Sequence, residues 1–285
     1  MTSKFLLQFA DGLESESVVI PMQAGETLCI SSQIGCKMGC AFCETGRMGL
    51  LRHLSVGEII AQVFSARFLL KKQVRNIVFM GMGEPFDNFE TVMQAVRVLT
   101  EPTGLAFGPS RLTLSTSGHV AAIYRMIEEA DPALNLAVSV NAPNDAVRNR
   151  IMPVNKKWNM AQLKEAMSAY CAHPRREIFV EYVLLKDVND SLESADQLAE
   201  YLKNLRVKVN LIPYNAQSRD RFSPPAEEQQ TAFLDRMRSH GYYTLLRLPK
   251  GKAIMAACGQ LGNLQLRKNL IKDKTTSQIE PLSLI

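Results

Sequence analysis

Apolar and polar residues alternate through Glu14-Ser-Glu16-Ser-Val-Val-Ile20, a period of two that reads as a strand with unlike faces. Gly25 turns the chain, and Thr27-Leu-Cys29-Ile-Ser-Ser keeps it extended, so residues 14–33 are predicted to be β-structure. Ser55 and Glu58 have the spacing of a capping box, which predicts a helix from there to about Lys72. Arg75-Asn-Ile-Val-Phe-Met80 is a short apolar run that reads as a buried strand. It ends in the turn Gly81-Met-Gly-Glu-Pro85, and helical spacing resumes from about Phe89 to Thr100. The same alternation predicts strands at 111–115, 134–140, 177–185 and 208–213, with a last extended piece at 242–248. Helices are predicted between them at 120–130, 160–172, 195–205 and 227–240.

Strands separated by helices imply βαβ units and a parallel sheet, so the fold class is α/β. Six such strands point to a partial, open (β/α)6 barrel of the TIM-like kind. A β-rich extension over 1–28 precedes the barrel at 29–262, and 263–285 is a tail rich in Lys, Ser and Thr. Function in such barrels gathers at the C-terminal ends of the strands. Gly81-Met-Gly-Glu84, Ser115-Thr-Ser-Gly118, Ser139-Val-Asn141 and Tyr214-Asn215 all fall there, where one ligand could touch all four.

Composition narrows this only a little. The 285 residues are 46% apolar and 21% charged, which suits a globular chain with a sizeable core. A net charge of +5 suits a polyanionic partner. The opening residues have only a brief apolar run before Asp11, too short for a secretory signal, and no stretch approaches the length of a membrane span. The expectation is a cytoplasmic protein without a membrane partner, and a monomer. Six clustered cysteines favour metal or redox chemistry over a disulfide scaffold.

Three of those cysteines form C-x3-C-x2-C at Cys36, Cys40 and Cys43, with Cys29 upstream. Thiolates suit zinc, copper(I) or iron–sulfur clusters. Zinc would need a fourth protein ligand, usually from a second C-x2-C or a histidine pair, and none follows. Three thiolates can hold three irons of one [4Fe–4S] cluster and leave the fourth open. Gly35 and Gly39 would let the loop bend around it. Three packed core thiols are the bland alternative, and Lys37 and Gly39 between them make a poor core segment.

With Phe42 directly before its last cysteine, this motif resembles the signature of the radical S-adenosylmethionine enzymes. Nine further stretches resemble one branch, the RlmN/Cfr family of RNA adenine methyltransferases. They include Cys29-Ile-Ser-Ser-Gln-Ile-Gly-Cys36, Met80-Gly-Met-Gly-Glu-Pro85, Leu114-Ser-Thr-Ser-Gly118, Ala142-Pro-Asn-Asp145, Glu181-Tyr-Val-Leu-Leu185, Asn210-Leu-Ile-Pro213 and Ala256-Ala-Cys-Gly-Gln-Leu261.

The resemblance implies a role for each matching residue. Cys36, Cys40 and Cys43 would hold the one [4Fe–4S] cluster. Gly83 and Glu84 would take the amino group of S-adenosylmethionine, and Ser115, Ser139, Val140, Asn141 and Asn215 would line the rest of that site. Cys258 would accept a methyl group from one S-adenosylmethionine by displacement. A second molecule, cleaved to a 5′-deoxyadenosyl radical, would activate that methyl for addition to an adenine carbon. Glu16 would act as general base on the adenine, and Cys29 would release the product by closing a disulfide with Cys258.

The implied substrate is an adenine of 23S ribosomal RNA or tRNA, most directly at C2, with C8 as the alternative. An external reductant such as flavodoxin or ferredoxin is implied as well. The rival readings are a same-mechanism enzyme with another RNA or a small-molecule substrate, and a non-catalytic iron–sulfur protein that binds RNA or carries electrons. Cys171 is left as a helix core thiol.

The chain departs from the family pattern in having Asn141 where histidine is usual and Glu44 where small residues are usual. The resemblance begins near residue 10, so a short form without the separate N-terminal domain of full-length members is the expectation. Basic groups that could meet phosphates recur at Lys71–Lys72–Arg75, Arg148–Arg150, Lys156–Lys157, Arg175–Arg176, Arg219–Arg221 and Arg267–Lys268, with Trp158 as a base-stacking candidate.

Overall fold

The computed structural model describes residues 2–23, 25–217, 221–248 and 255–262. The opening residues form a hairpin of β1 (Ser3–Gln8) and β2 (Glu14–Met22), followed by β3 (Gly25–Cys29). A loop region carries the two-residue strands β4 (Gln33–Ile34) and β5 (Arg52–His53) and the short helix α1 (Glu44–Met48). Regular alternation then begins with α2 (Val56–Phe64), β6 (Val74–Phe79), α3 (Phe89–Thr100) and β7 (Leu112–Thr116). It continues through α4 (Val120–Glu129), β8 (Asn135–Ser139), α5 (Asp145–Ile151) and α6 (Met160–Cys171). The last elements are β9 (Ile178–Leu184), α7 (Leu192–Leu202), β10 (Val207–Pro213), α8 (Glu227–Ser239) and β11 (Thr244–Leu246).

Nine strands make one sheet in the order β1-β2-β3-β6-β7-β8-β9-β10-β11. From β3 to β11 every pairing is parallel, as the intervening helices demand, while β1 and β2 add antiparallel strands at one edge. The sheet therefore curls as an open α/β barrel, with β1 and β11 as its two edges. In β9, Ile178, Val180, Tyr182 and Leu184 are fully buried and belong to the main core. Tyr182 packs on Phe233 of α8 at 5.4 Å between ring centroids, so this face meets the helices. Glu181 lies on the other face, toward the barrel interior.

The capping box at the start of α2 forms as expected: Ser55 Oγ accepts from Glu58 N at 3.3 Å, and Glu58 Oε2 accepts from Ser55 N at 2.8 Å. The helix does not reach Lys72 in α form. A π-helical turn, Ser65–Leu69, follows α2, and Lys71 at φ 55° ends it. Leu70 N donates to Ser65 O and Lys72 N to Ala66 O, so the stop comes from a widened turn rather than from a breaking residue. β1 falls within the expected β-rich extension over 1–28, whereas α1 and α5 are too short to show a clear period in the sequence. Cys171, half-buried at the end of α6, packs against the main core as expected. The expected tail at 263–285 lies outside the described residues. Among those described, no helix is long and apolar enough to cross a membrane.

Candidate functional site

Strand β3 delivers Cys29 to the rim, and the loop that follows is tied down on three sides. Cys36 N donates to Gly49 O at 3.1 Å, Ala41 N to Ile151 O at 2.9 Å, and Glu44 N to Gly259 O at 2.8 Å. Gly39 turns at φ 66°, in the left-handed region that favours glycine. Cys36 is buried, Cys40 and Cys43 are half-buried, and none is in a disulfide. Burial pushes all three thiols up, Cys40 to about 12, and Cys36 is raised further by Glu84 and then by the other two thiols. As thiolates they would need a cationic centre between them. Among the described residues no three His, Cys, Asp or Glu side chains close on a single metal ion. The trio fits a larger group held from one loop better than a lone tetrahedral zinc.

The end of β6 faces this loop. Gly83, at φ 104°, lies so close to Gln33 that an added Cβ would stand 2.6 Å from the Gln33 Cβ. Gln33 Oε1 accepts from Glu84 N at 2.8 Å and so fixes the turn. Glu84 is buried; its Oε2 accepts from Ser117 N at 2.7 Å and Ser117 Oγ at 2.8 Å, and its Oε1 from Phe86 N at 3.1 Å. Burial raises its pKa against the pull of these donors. Both Cys36 and Cys40 feel its charge, so the carboxylate borders the thiol trio.

Ser115 is half-buried at the end of β7, and Ser139 and Val140 close β8. Their loops are clamped by Arg148, which is wholly buried. Its guanidinium donates to Val140 O at 3.0 Å, Ser139 O at 3.0 Å, Ser117 O at 2.6 Å and Asn155 Oδ1 at 3.0 Å. Asn141, at φ 57°, uses its side chain inside the protein: Oδ1 accepts from Val183 N at 2.8 Å, and Nδ2 donates to Met152 Sδ at 3.3 Å. Asn215, just beyond β10, donates from Nδ2 to Cys258 O at 3.0 Å, and its buried Oδ1 has no partner among the described residues. An orphaned buried acceptor beside the thiol trio is what a bound cofactor would satisfy.

The segment 255–262 returns over this rim. Gln217 Nε2 donates to both Phe42 O and Gly259 O, Gln260 Nε2 to Ala216 O at 2.5 Å, and Thr45 Oγ1 to Leu261 O at 2.5 Å. Cys258 is thereby held against the loop of the trio, still accessible although protein surrounds it. Burial, Glu181 and Cys43 raise its thiol, and Arg247 opposes them, for a pKa of about 11. Cys29 is raised by burial and then by the charge of Cys258, so Cys258 lies within electrostatic reach of it.

Glu16 reaches the same place. Val18 pairs with Cys29, so Glu16, two residues along β2, shares the Cys29 face of the sheet. It is buried, and its Oε2 lies 3.4 Å from both Lys4 Nζ and Gly262 N. The structure thus brings Cys258, Cys29, Glu16, Glu84, Asn215 and the three cluster-motif cysteines to one rim.

Gln33, Gln217 and the set Glu181, Asn210 and Arg247 have no individual role legible in the sequence, and Arg148 is legible there only as a surface cation. Asn210 Nδ2 donates to Glu181 Oε1 at 2.8 Å, and Arg247 Nε to Asn210 Oδ1 at 3.1 Å, inside the barrel near Cys258. Their only signal was polarity within apolar runs. Two basic candidates are corrected: Arg148 and Arg176 are buried and serve backbone carbonyls, so neither is free for phosphate. Trp158 packs on His119 at 4.3 Å, with Lys157 at 4.3 Å from its ring. Arg219, Arg267 and Lys268 lie outside the described residues.

Comparison with known proteins agrees with this geometry. Residues 30–202 match the family model described as the radical SAM superfamily. A probable dual-specificity RNA methyltransferase RlmN 1 of Protochlamydia amoebophila is 57% identical over 94% of this chain and 75% of its own length. A dual-specificity RNA methyltransferase RlmN of Syntrophotalea carbinolica is 45% identical over 91% of this chain and 69% of its own. The crystal structure of a radical SAM methyltransferase from Sphaerobacter thermophilus superposes with a TM-score of 0.88 at 42% identity, covering 91% of this chain and 76% of that one.

Proposed function

The chain belongs to the radical SAM superfamily and, within it, to the RlmN family of RNA methyltransferases, and from that premise we propose that it methylates an adenine carbon of structured RNA, at C2, through Cys258. The observation that supports this reading is the docking of 255–262 onto the cluster loop, where Glu44 N donates to Gly259 O at 2.8 Å and Cys258 comes within electrostatic reach of Cys43 and Cys29.

Cys36, Cys40 and Cys43 would hold one [4Fe–4S] cluster, which together with S-adenosylmethionine supplies a carbon-centred radical. Glu84, bordering the trio, would hold the cofactor's ammonium, with Gly83 shaping the turn by its close approach to Gln33. Ser115, Ser139, Val140 and Asn215 would meet the rest of the cofactor, and Asn141 would act by shaping the β8 turn with its amide already engaged.

Cys258 would lose its proton, take a methyl by displacement, and present that carbon to the base. A C2–H carbon of adenine is a poor nucleophile, which is why a radical route is needed. Once the methyl carbon on Cys258 has lost a hydrogen atom and bonded to C2, Glu16 would accept the C2 proton. The one electron left on the base would pass to the oxidised cluster, giving the rearomatised protein–RNA thioether. Attack by the Cys29 thiolate on the Cys258 sulfur would form the S–S bond and break the S–C bond, with the released carbon taking a proton to become the new methyl. Each turnover would then consume two S-adenosylmethionine molecules, and an external reductant such as flavodoxin or ferredoxin would serve the cluster. We place this chemistry on a monomer in the reducing cytoplasm, with 29–262 as its catalytic core. The substrates we favour are 23S rRNA and tRNA.

Anaerobically reconstituted protein, incubated with methyl-labelled S-adenosylmethionine, reductant and these RNAs, should yield 2-methyladenosine on digestion and mass spectrometry. Label at C8 would move the target atom. Label in neither RNA would overturn the substrate.

A further inference from the structure

Three cations that are separate in the sequence meet at one groove on the catalytic rim. Arg150, Lys186 and Arg221 line an open space of about 520 Å³ together with Asp187, Val188, Phe222 and Ser223. All three are exposed, and none forms an ion pair among the described residues. Set against the one carboxylate, Asp187, the groove keeps a positive balance.

Its walls are bonded to the reaction site. Arg150 is in the last turn of α5, where the neighbouring Ile151 O accepts from Ala41 N of the cluster loop at 2.9 Å. Lys186 follows β9, and its N–H donates to Ser223 O at 2.9 Å, which locks the two walls together. Phe222 packs edge-on against Tyr214 at 6.1 Å. Tyr214 precedes Asn215, whose amide holds the Cys258 carbonyl at 3.0 Å. Guanidinium and ammonium groups around an aromatic ring, one short step from the methyl-accepting sulfur, match a nucleic-acid backbone rather than a small neutral metabolite.

We propose that this groove binds the phosphodiester backbone of the substrate RNA beside the target adenine; the assignment rests on the RNA reading above. A second basic groove, lined by Arg67, Lys71, Lys72 and Arg75, opens at the start of β6, the opposite end from Glu84. Backbone bound there would not lead a base toward Cys258.

The test is equilibrium binding of a hairpin RNA with an unpaired loop adenosine, titrated against salt. It compares the intact chain, the triple variant Arg150→Ala/Lys186→Ala/Arg221→Ala, and a control variant Lys71→Ala/Lys72→Ala. Three lost contacts on single-stranded RNA should flatten the slope of log affinity against log salt by about 2. Affinity at low salt should fall at least tenfold, while 5′-deoxyadenosine release without RNA stays unchanged. The control variant should keep both slope and affinity.

An unchanged slope in the triple variant, or an equal loss in the control, would overturn the groove while leaving the RNA reading intact. A wild-type chain that binds no RNA would remove that reading, and the groove with it.

Discussion

The side-chain amide of Asn215 donates to the backbone carbonyl of Cys258 at 3.0 Å, while its own Oδ1 is buried and unpartnered among the described residues. One end of the group fixes the returning segment, and the other awaits a donor. Asn215→Ala should therefore cost about 1–3 kcal/mol of S-adenosylmethionine binding, on the order of tenfold in affinity. Equilibrium dialysis with the reconstituted protein checks this, and wild-type affinity would take Asn215 out of the cofactor site.

Cys258, on the last described segment, raises the thiol of Cys29 on β3 after burial has done so. If Cys29 resolves the adduct, Cys29→Ala should stall turnover with RNA attached to Cys258. A nuclease-trimmed protein–nucleotide conjugate on denaturing gels and in the mass spectrum is the expected result. Continued turnover without any conjugate would rule out the resolving role.

The Cys258 thiol, at about 11, is raised by burial and by Glu181 and lowered by Arg247. Raised above the ordinary thiol value, it is mostly protonated at neutral pH, and its thiolate fraction grows as pH climbs toward 11. Alkylation of Cys258 by iodoacetamide in the cluster-free chain should rise over that range. Glu181→Gln should speed it at pH 8, and Arg247→Met should slow it. Equal rates in all three chains would show that neither charge reaches the sulfur.

Arg148 spends its guanidinium on Ser117 O, Ser139 O, Val140 O and Asn155 Oδ1. Arg148→Met would orphan these buried acceptors and should cost at least ~3 kcal/mol of stability. The melting temperature should then fall by roughly 5–10 °C, read by calorimetry. A change within about 1 °C would mean that the rim does not depend on the clamp.

The helix–strand alternation showed the barrel in the sequence because its long elements have clear periods and caps, as at Ser55 and Glu58. The stop of α2 was not legible, because a π turn leaves no composition signal. The thiol trio and Glu84 could be found from spacing and a glycine turn. That Arg148 is buried while Arg150 is exposed could not, since both read as surface cations in one short run. Residues two apart on a helix point away from each other, and only the fold decides which one enters the core. The approach of Cys258 to Cys43 was invisible for the same reason: it depends on hydrogen bonds from Gln217 and Thr45 across the rim.

Transfer of methyl through the Cys258 sulfur is the centre of this account. Its most direct test is peptide mass spectrometry of the reconstituted protein after one round with methyl-labelled S-adenosylmethionine, before RNA is added. Label on the peptide containing Ala256-Ala257-Cys258-Gly259, absent from the Cys258→Ala protein, is the result the account requires. Label that passes to RNA at wild-type rates in Cys258→Ala would contradict it.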